Sequence, residues 1–257
     1  MGILTRLDLI TTIFQSIILI VIIAKAIKLT TITRASLLPF FFALAMSSNL
    51  LSNFYWIAYD FLKPDTRMPM ACNEIGEDAS ILLLCAGLET ILKDKRKIAS
   101  EIVFATLFIG ANIALWIVWS GEWLQDILTG LPNAYFLWLL IRGLISRGCL
   151  SHKEMWFMAI TGVAALALQI PLLVIKGPVI EHALEFTCTA VMSVLMIWLG
   201  VKSYRSKDFI IASTFFLWTE LAMFLSSDYY YIWFFTANSI AMIAMSPLVK
   251  KELEAND

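Results

Sequence analysis

Charged residues are scarce in this chain, and long polar stretches are absent. Only 15% of the 257 residues are charged and 60% are hydrophobic, whereas about a quarter of the residues in a typical soluble domain are charged. No polar segment is long enough to form a soluble domain. We therefore expect a single membrane domain over residues 1–257, surrounded by a lipid bilayer, with no nucleic-acid partner and no cofactor.

Most motifs that carry enzyme chemistry are also missing. There is no H-E-x-x-H zinc motif, no G-x-S-x-G nucleophile elbow and no phosphate-binding loop. No predicted span has a lysine near its centre for a retinal Schiff base, and two histidines are too few for a ceramidase-like hydrolase. The four cysteines form no C-x-x-C pair. A disulfide between Cys72 and Cys188 is compatible with the sequence, but no pattern supports it. These absences favour binding or transport over catalysis.

Long apolar segments are what the sequence has in abundance. A helix needs about 20 mostly apolar residues to cross a bilayer, and nine segments qualify. We predict an all-α integral membrane helix bundle with about nine transmembrane helices. The predicted spans are Leu7–Ile27, Leu37–Phe61, Met70–Leu92, Ile98–Ser120, Trp123–Ile145, Met155–Ile175, Ile180–Lys202, Phe209–Ser226 and Tyr229–Leu248.

The basic residues indicate how the chain is oriented. With nine spans, 15 of the 19 Lys and Arg residues fall on one side of the membrane and four on the other. Basic residues near the ends of spans collect in the cytoplasm, so we predict an extracellular N-terminus and a cytoplasmic C-terminus. Twelve of the 20 acidic residues lie toward the outer side. The absence of an N-x-[ST] sequon fits a multi-pass protein of the bacterial inner (plasma) membrane.

Polar side chains follow helical spacing, three or four residues apart, on at least five predicted helices. Glu220 is the clearest case, because it lies about 12 Å deeper than Asp228 in an apolar segment. A charge at such depth costs roughly 2.5–3.5 kcal/mol on insertion scales, so it usually faces protein or a wet cavity and often marks function. We expect one acidic outer pocket. The candidate ligand-binding residues are Asn53, Trp56, Asp60, Glu74, Glu77, Asp78, Asp126, Asn133, Glu185, Glu220 and Asn238.

Two local patterns add to this picture. Gly130, Pro132 and Asn133 predict an interruption of the fifth helix near mid-membrane, either a simple kink or part of a binding site. Trp56 shares a helix face with Asn53 and Asp60, and an aromatic ring beside carboxylates is a common site for an organic cation.

For two further sets of charged residues, a structural role is favoured over a role in binding. Glu181, His182 and Glu185 are weak candidates for a metal site. A lone histidine paired with a neighbouring carboxylate is the favoured alternative, since metal sites usually need more ligands. Glu89 precedes Lys93 by four residues, the favourable order for a helical ion pair, and is interpreted as structural.

The leading functional hypothesis is a transporter or ligand-binding protein whose outward-facing acidic pocket takes a cation: an organic amine, a proton or a metal ion. A first alternative is a membrane sensor or assembly subunit that acts with a partner membrane protein, its polar stripes joining helices. A second is an intramembrane enzyme that uses paired carboxylates, such as Glu77 or Asp78 with Glu185 or Glu220, as acid and base.

Overall fold

A computed structural model shows the chain as a bundle of helices. It describes residues 3–33, 36–62, 72–92, 99–175 and 177–254, within which there is no β-strand; the side chains of residues 3–6, 60, 72 and 228 are not described. The helices in these ranges are α1 (Ile3–Ile32), α2 (Leu38–Leu62), α3 (Cys72–Ile91), α4 (Ala99–Ser120), α5 (Trp123–Ser146), α6 (His152–Val174), α7 (Pro178–Ser206), α8 (Phe209–Leu225) and α9 (Asp228–Glu254).

All nine predicted helical segments are confirmed within the described residues. Most helix ends lie within three residues of the predicted ends. The exceptions are the C-terminal ends of α1, α7 and α9, which continue four to six residues further, and the N-terminal end of α1, which begins four residues earlier. Hydropathy locates only the apolar part of a helix, whereas its backbone hydrogen bonds continue into a polar last turn, so such ends are the least predictable part.

Six helices of the described chain are long and apolar enough to cross a membrane: α1, α4, α5, α6, α7 and α9. The chain is therefore a multi-pass membrane protein, and its sidedness stays a prediction. Helices α2, α3 and α8 are not among these six, for reasons that their sequences explain. α8 has only 17 residues, whereas α2 and α3 carry several amide, hydroxyl and carboxyl side chains that lower their hydropathy.

Helix α8 lies at the centre of the bundle, with 15 of its 17 residues buried. It packs against α5, α7 and α9. Helices α1, α2 and α3 pack side by side in chain order, and α9 contacts both α1 and α8. Glu220 on α8 is consequently enclosed by protein, with only 4% of its surface exposed.

The fifth helix is not broken, and the kink that the sequence offered as the alternative at Pro132 stays a prediction. Helix α5 runs without a break from Trp123 to Ser146 and contains Pro132. Near the proline, the side-chain Nδ2 of Asn133 donates a hydrogen bond to the Thr129 carbonyl at 2.9 Å. A Cβ atom at Gly130 would collide with the side chain of Ile113 on α4. Glycine at this position thus allows α4 and α5 to pack closely.

Helices α2 and α3 approach most closely at Gly76. A Cβ atom at this position would lie 3.0 Å from the Ser48 carbonyl oxygen and 3.0 Å from Ser52 Cβ. The carbonyl belongs to a helix backbone that cannot easily shift. A larger residue would therefore separate the two helices just where the site described below is built.

Replacing Gly76 with Val should lower the free energy of unfolding by about 1–3 kcal/mol, the usual effect of overpacking. Gly110→Val is the matched control, because a Cβ at Gly110 meets no atom within 4 Å. We expect the control to stay within about 0.5 kcal/mol of the wild type, as for other exposed substitutions. Unfolding by sodium dodecyl sulfate in mixed micelles measures both variants, and equal losses would contradict the close α2–α3 packing.

Candidate functional site

A polar pocket of about 100 Å³ lies between α1, α2, α3, α8 and α9. Consecutive helices joined by short connections run in opposite directions. The first halves of α1, α3 and α9 therefore meet the second halves of α2 and α8 at one end of the bundle, which is the end predicted to be extracellular. The residues that line the pocket are Thr12, Gln15, Asn49, Ser52, Asn53, Trp56, Asn73, Glu74, Glu77, Glu220, Met223, Phe224, Tyr231, Phe235 and Asn238.

Three carboxylates line this pocket: Glu74 and Glu77 on α3, and Glu220 on α8. Glu77 on α3 accepts a hydrogen bond from Ser52 Oγ on α2 at 3.0 Å. Glu220 on α8 accepts one from Asn238 Nδ2 on α9 at 2.9 Å. When both are ionised, the carboxylates of Glu77 and Glu220 are close enough to repel each other. No basic side chain of the described residues lines the pocket, so this negative charge is not balanced within it.

A chain of side-chain amides connects Glu220 to three other helices. Asn53 Nδ2 on α2 donates to Gln15 Oε1 on α1 at 2.8 Å. Gln15 Nε2 donates to Asn238 Oδ1 at 3.3 Å. Asn238 Nδ2 in turn donates to Glu220 and, at 3.1 Å, to Thr219 Oγ1. Gln15, Asn53 and Asn238 are all at least 95% buried, so hydrogen bonds between buried side chains connect Glu220 to α9, α1 and α2.

Asp78 and Asn133 form a second polar group, between α3 and α5. Thr129 Oγ1 donates to Asp78 Oδ2 at 3.3 Å, and the Asn133 amide binds the Thr129 carbonyl. Asp78 Oδ1 and Asn133 Oδ1 are buried and have no hydrogen-bond partner in the described structure. Neither residue lines the pocket, but an ionised Asp78 would repel an ionised Glu220. The charge of Asp78 therefore affects Glu220 in the pocket, although Asp78 itself does not line the pocket.

The remaining candidates near this end have different surroundings. Trp56 lines the pocket, and its indole Nε1 is buried without a partner among the described residues. Glu74 lines the pocket and accepts a hydrogen bond from Gln125 on α5. Asp126 instead accepts from Ser120 Oγ at 2.7 Å, at the connection between α4 and α5. The Asp60 side chain lies outside the described residues.

Glu181 and Glu185 line a separate pocket of about 350 Å³. The expectation that the outer acids enclose one pocket is therefore wrong for these two residues. Three other candidates, Asp78, Asp126 and Asn133, also do not line the polar pocket. Helical spacing places Glu185 at a suitable depth, but spacing alone does not determine which neighbour a side chain faces. The other residues of this second pocket are Trp119, Gln169, Leu172, Cys188, Thr189, Leu225, Ser226 and Ser227.

The weak metal site does not form. His182 Nδ1 lies 3.4 Å from a Glu185 carboxylate oxygen, while a Glu181 oxygen accepts from the backbone N–H of Gly177 at 3.3 Å. Within the part of the chain that the structure describes, no group of three His, Cys, Asp or Glu residues could hold a metal ion. This geometry agrees with the alternative that the sequence favoured, a lone histidine paired with a neighbouring carboxylate. Cys188 is a free cysteine and accepts a hydrogen bond from Gln169.

Nine of the fifteen residues that line the polar pocket were not among the sequence candidates. The most informative of these nine is Gln15, which is the central member of the amide chain. Thr12, Gln15 and Ser16 follow helical spacing in the first span, and this polar stripe was the available signal. Six sequence candidates do share the pocket: Asn53, Trp56, Glu74, Glu77, Glu220 and Asn238.

Comparisons with models of protein families, with curated proteins and with solved structures find no match for this chain. The residues of the two pockets are therefore the basis for any statement about function.

Proposed function

We propose that the protein is a small membrane transporter that binds a cation, coupled to a proton, in the polar pocket between α1, α2, α3, α8 and α9. The main support for this proposal is the position of two carboxylates. Glu77 and Glu220 come from different helices, line the same enclosed space and have no basic residue of the described chain beside them there. The buried Glu220 and the half-buried Glu77 share this space without a counter-charge. This arrangement is unfavourable unless a proton or another cation joins them.

The size of the pocket restricts the ligand. A volume of about 100 Å³ holds about three water molecules at about 30 Å³ each. Drug-sized ligands occupy pockets of about 300–1,000 Å³. A proton, a small inorganic cation or a group the size of guanidinium therefore fits better than a bulky amine. Trp56 on the pocket wall would favour a cation with delocalised charge through its aromatic face.

The hydrogen bonds suggest how occupancy could be coupled to movement. A carboxyl group that holds a proton in the cation-free state releases that proton when a cation binds between Glu77 and Glu220. The amide of Asn238 contacts Glu220 directly, and Gln15 and Asn53 extend this contact to α1 and α2. A ligand shifts a conformational equilibrium only through such differential contacts. Proton and cation would thus favour different arrangements of α1, α2 and α9 around α8.

The cellular location follows from charge and composition. The strong bias of basic residues to one side is typical of a plasma-membrane protein with a cytoplasmic C-terminus. Together with the absence of glycosylation sequons, it favours the inner membrane of a bacterium. The polar pocket would then open toward the extracellular or periplasmic side.

Vesicles containing the purified protein and a trapped pH-sensitive dye test this proposal. Addition of Na⁺, K⁺ or guanidinium outside should move protons across the membrane faster than in protein-free vesicles, and the rate should saturate with concentration. Tetraethylammonium serves as the size control, because it is too bulky for the pocket. Proton movement that matches protein-free vesicles for every cation would contradict transport.

A further inference from the structure

An apolar groove lies between the second halves of α1 and α9, at the other end of these helices from the polar pocket. The two helices leave between them a large groove of about 910 Å³, which runs from Ile17 to Thr33 along α1 and from Ile243 to Glu254 along α9. Its walls are mainly aliphatic. Val21, Ile243 and other exposed apolar residues of α1 and α9 face outward here, as expected for a surface in contact with lipid.

Basic residues line one part of this otherwise apolar groove. Lys25, Lys28 and Lys250 are exposed and border it. Lys250 Nζ lies 3.4 Å from a Glu254 oxygen, so its charge is partly balanced. Lys25 and Lys28 make no side-chain hydrogen bond or ion pair within the described residues, and they lie three residues apart on one face of α1. The groove thus has two ammonium groups that lack an acidic partner in the described structure.

The positions of the two lysines along the groove match the headgroup depth of one leaflet, because Ile17 is midway along α1 (Ile3–Ile32) and is therefore placed at mid-membrane. From Ile17 to Thr33 the helix rises about 24 Å, and Lys25 and Lys28 lie about 12 Å and about 17 Å from Ile17. The hydrocarbon of one leaflet is about 15 Å thick, half of a core of about 30 Å. The lysines therefore lie near the depth of lipid headgroups, while the aliphatic part of the groove lies in the hydrocarbon.

We propose that this groove binds an anionic phospholipid of the cytoplasmic leaflet, with an acyl chain between α1 and α9 and the phosphate at Lys25 and Lys28. Charge complementarity selects this occupant, because basic pockets between transmembrane helices on the cytoplasmic side bind anionic headgroups. The same end of the bundle carries most of the basic residues under the predicted orientation. A zwitterionic lipid would fill the aliphatic groove but would gain little from the two ammonium groups.

Lipid titration with native mass spectrometry tests this proposal. The purified protein is titrated with dioleoyl phosphatidylglycerol or dioleoyl phosphatidylcholine, and bound lipids are counted. We expect the wild type to prefer phosphatidylglycerol. In the double variant Lys25→Gln/Lys28→Gln, the preference for phosphatidylglycerol over phosphatidylcholine should fall by about fivefold for each lysine removed. Both lysines are exposed, so the variant should fold normally.

The control is Lys153→Gln/Arg205→Gln, which removes the same charge from exposed residues outside the groove. It should leave the preference within about twofold of the wild type, well under the change expected from two lysines. Val21→Trp, which narrows the aliphatic part, should weaken binding of both lipids. Equal losses in the two double variants, or no preference in the wild type, would overturn the proposal. A dimer that disappears in Val21→Trp would also overturn it, since a second copy would then occupy the groove.

Discussion

Replacing Glu220 with Gln should abolish cation binding and the proton movement coupled to it. The substitution keeps the shape of the side chain, and its amide oxygen can still accept the hydrogen bond from Asn238. It removes the negative charge and the exchangeable proton. Loss of one member of a buried charge pair costs about 2–5 kcal/mol, equivalent to at least about thirtyfold in affinity. Dye-loaded vesicles and isothermal titration with the same cation measure the two effects.

Glu185→Gln is the matched control for this experiment. Glu185 is also a carboxylate in the same half of a helix bundle, but it lines the other pocket and pairs with His182. We expect cation affinity and proton movement to match the wild type. A loss of function in Glu185→Gln with none in Glu220→Gln would mean that the separate pocket between α6, α7 and α8 binds the cation.

The largest effect on stability is expected at the ion pair between α3 and α5. Arg142 Nη2 lies 3.2 Å from a Glu89 oxygen, and the Arg142 side chain is 6% exposed. Tyr135 donates a hydrogen bond to Glu89 at 3.0 Å, and the guanidinium lies 5.0 Å from the Trp138 ring centre. Glu89→Ala would leave a buried cation without its counter-ion. We expect a loss of about 3 kcal/mol in the free energy of unfolding.

An exposed ion pair provides the control. Lys250 and Glu254 lie 3.4 Å apart with side chains 68% and 65% exposed, and Glu254→Ala should change the stability by less than about 1 kcal/mol. The double variant Glu89→Gln/Arg142→Met should recover most of the stability lost in Glu89→Ala, because it removes the buried charge of Arg142 together with that of its partly exposed partner. Comparable losses in Glu89→Ala and Glu254→Ala would show that the α3–α5 pair is solvated and contributes little.

The sequence was sufficient to predict the helices, because a bilayer requires long apolar segments with polar interruptions at their ends. It also singled out Glu220, since a carboxylate deep in an apolar segment is unfavourable unless protein surrounds it. Asn238 was also among the sequence candidates, and it lines the same pocket as Glu220. These predictions depend on distances along one helix, which the sequence contains.

Predictions that depend on the packing of helices against each other were less successful. Glu185 has the same acidic character as Glu77, yet α7 turns it toward α6 and the end of α8. Glu89 was assigned to Lys93 on its own helix; its partner in the structure is Arg142 on α5, and Lys93 lies outside the described residues. Gln15 was overlooked because the polar stripe that it shares with Thr12 and Ser16 does not show which helices it faces, and its contacts with Asn53 and Asn238 appear only in the fold. The periodicity of a sequence predicts which residues share one face of a helix. It does not predict which other helix packs against that face.

A double-mutant cycle on Glu77 and Glu220 tests the central claim most directly. The affinity of the cation that drives the largest proton movement is measured for Glu77→Gln, for Glu220→Gln and for the double variant. If one cation is held between both carboxylates, each single variant should lose nearly as much affinity as the double variant, because residues in one network are not additive. Additive losses from the two single variants would contradict a shared site between α3 and α8.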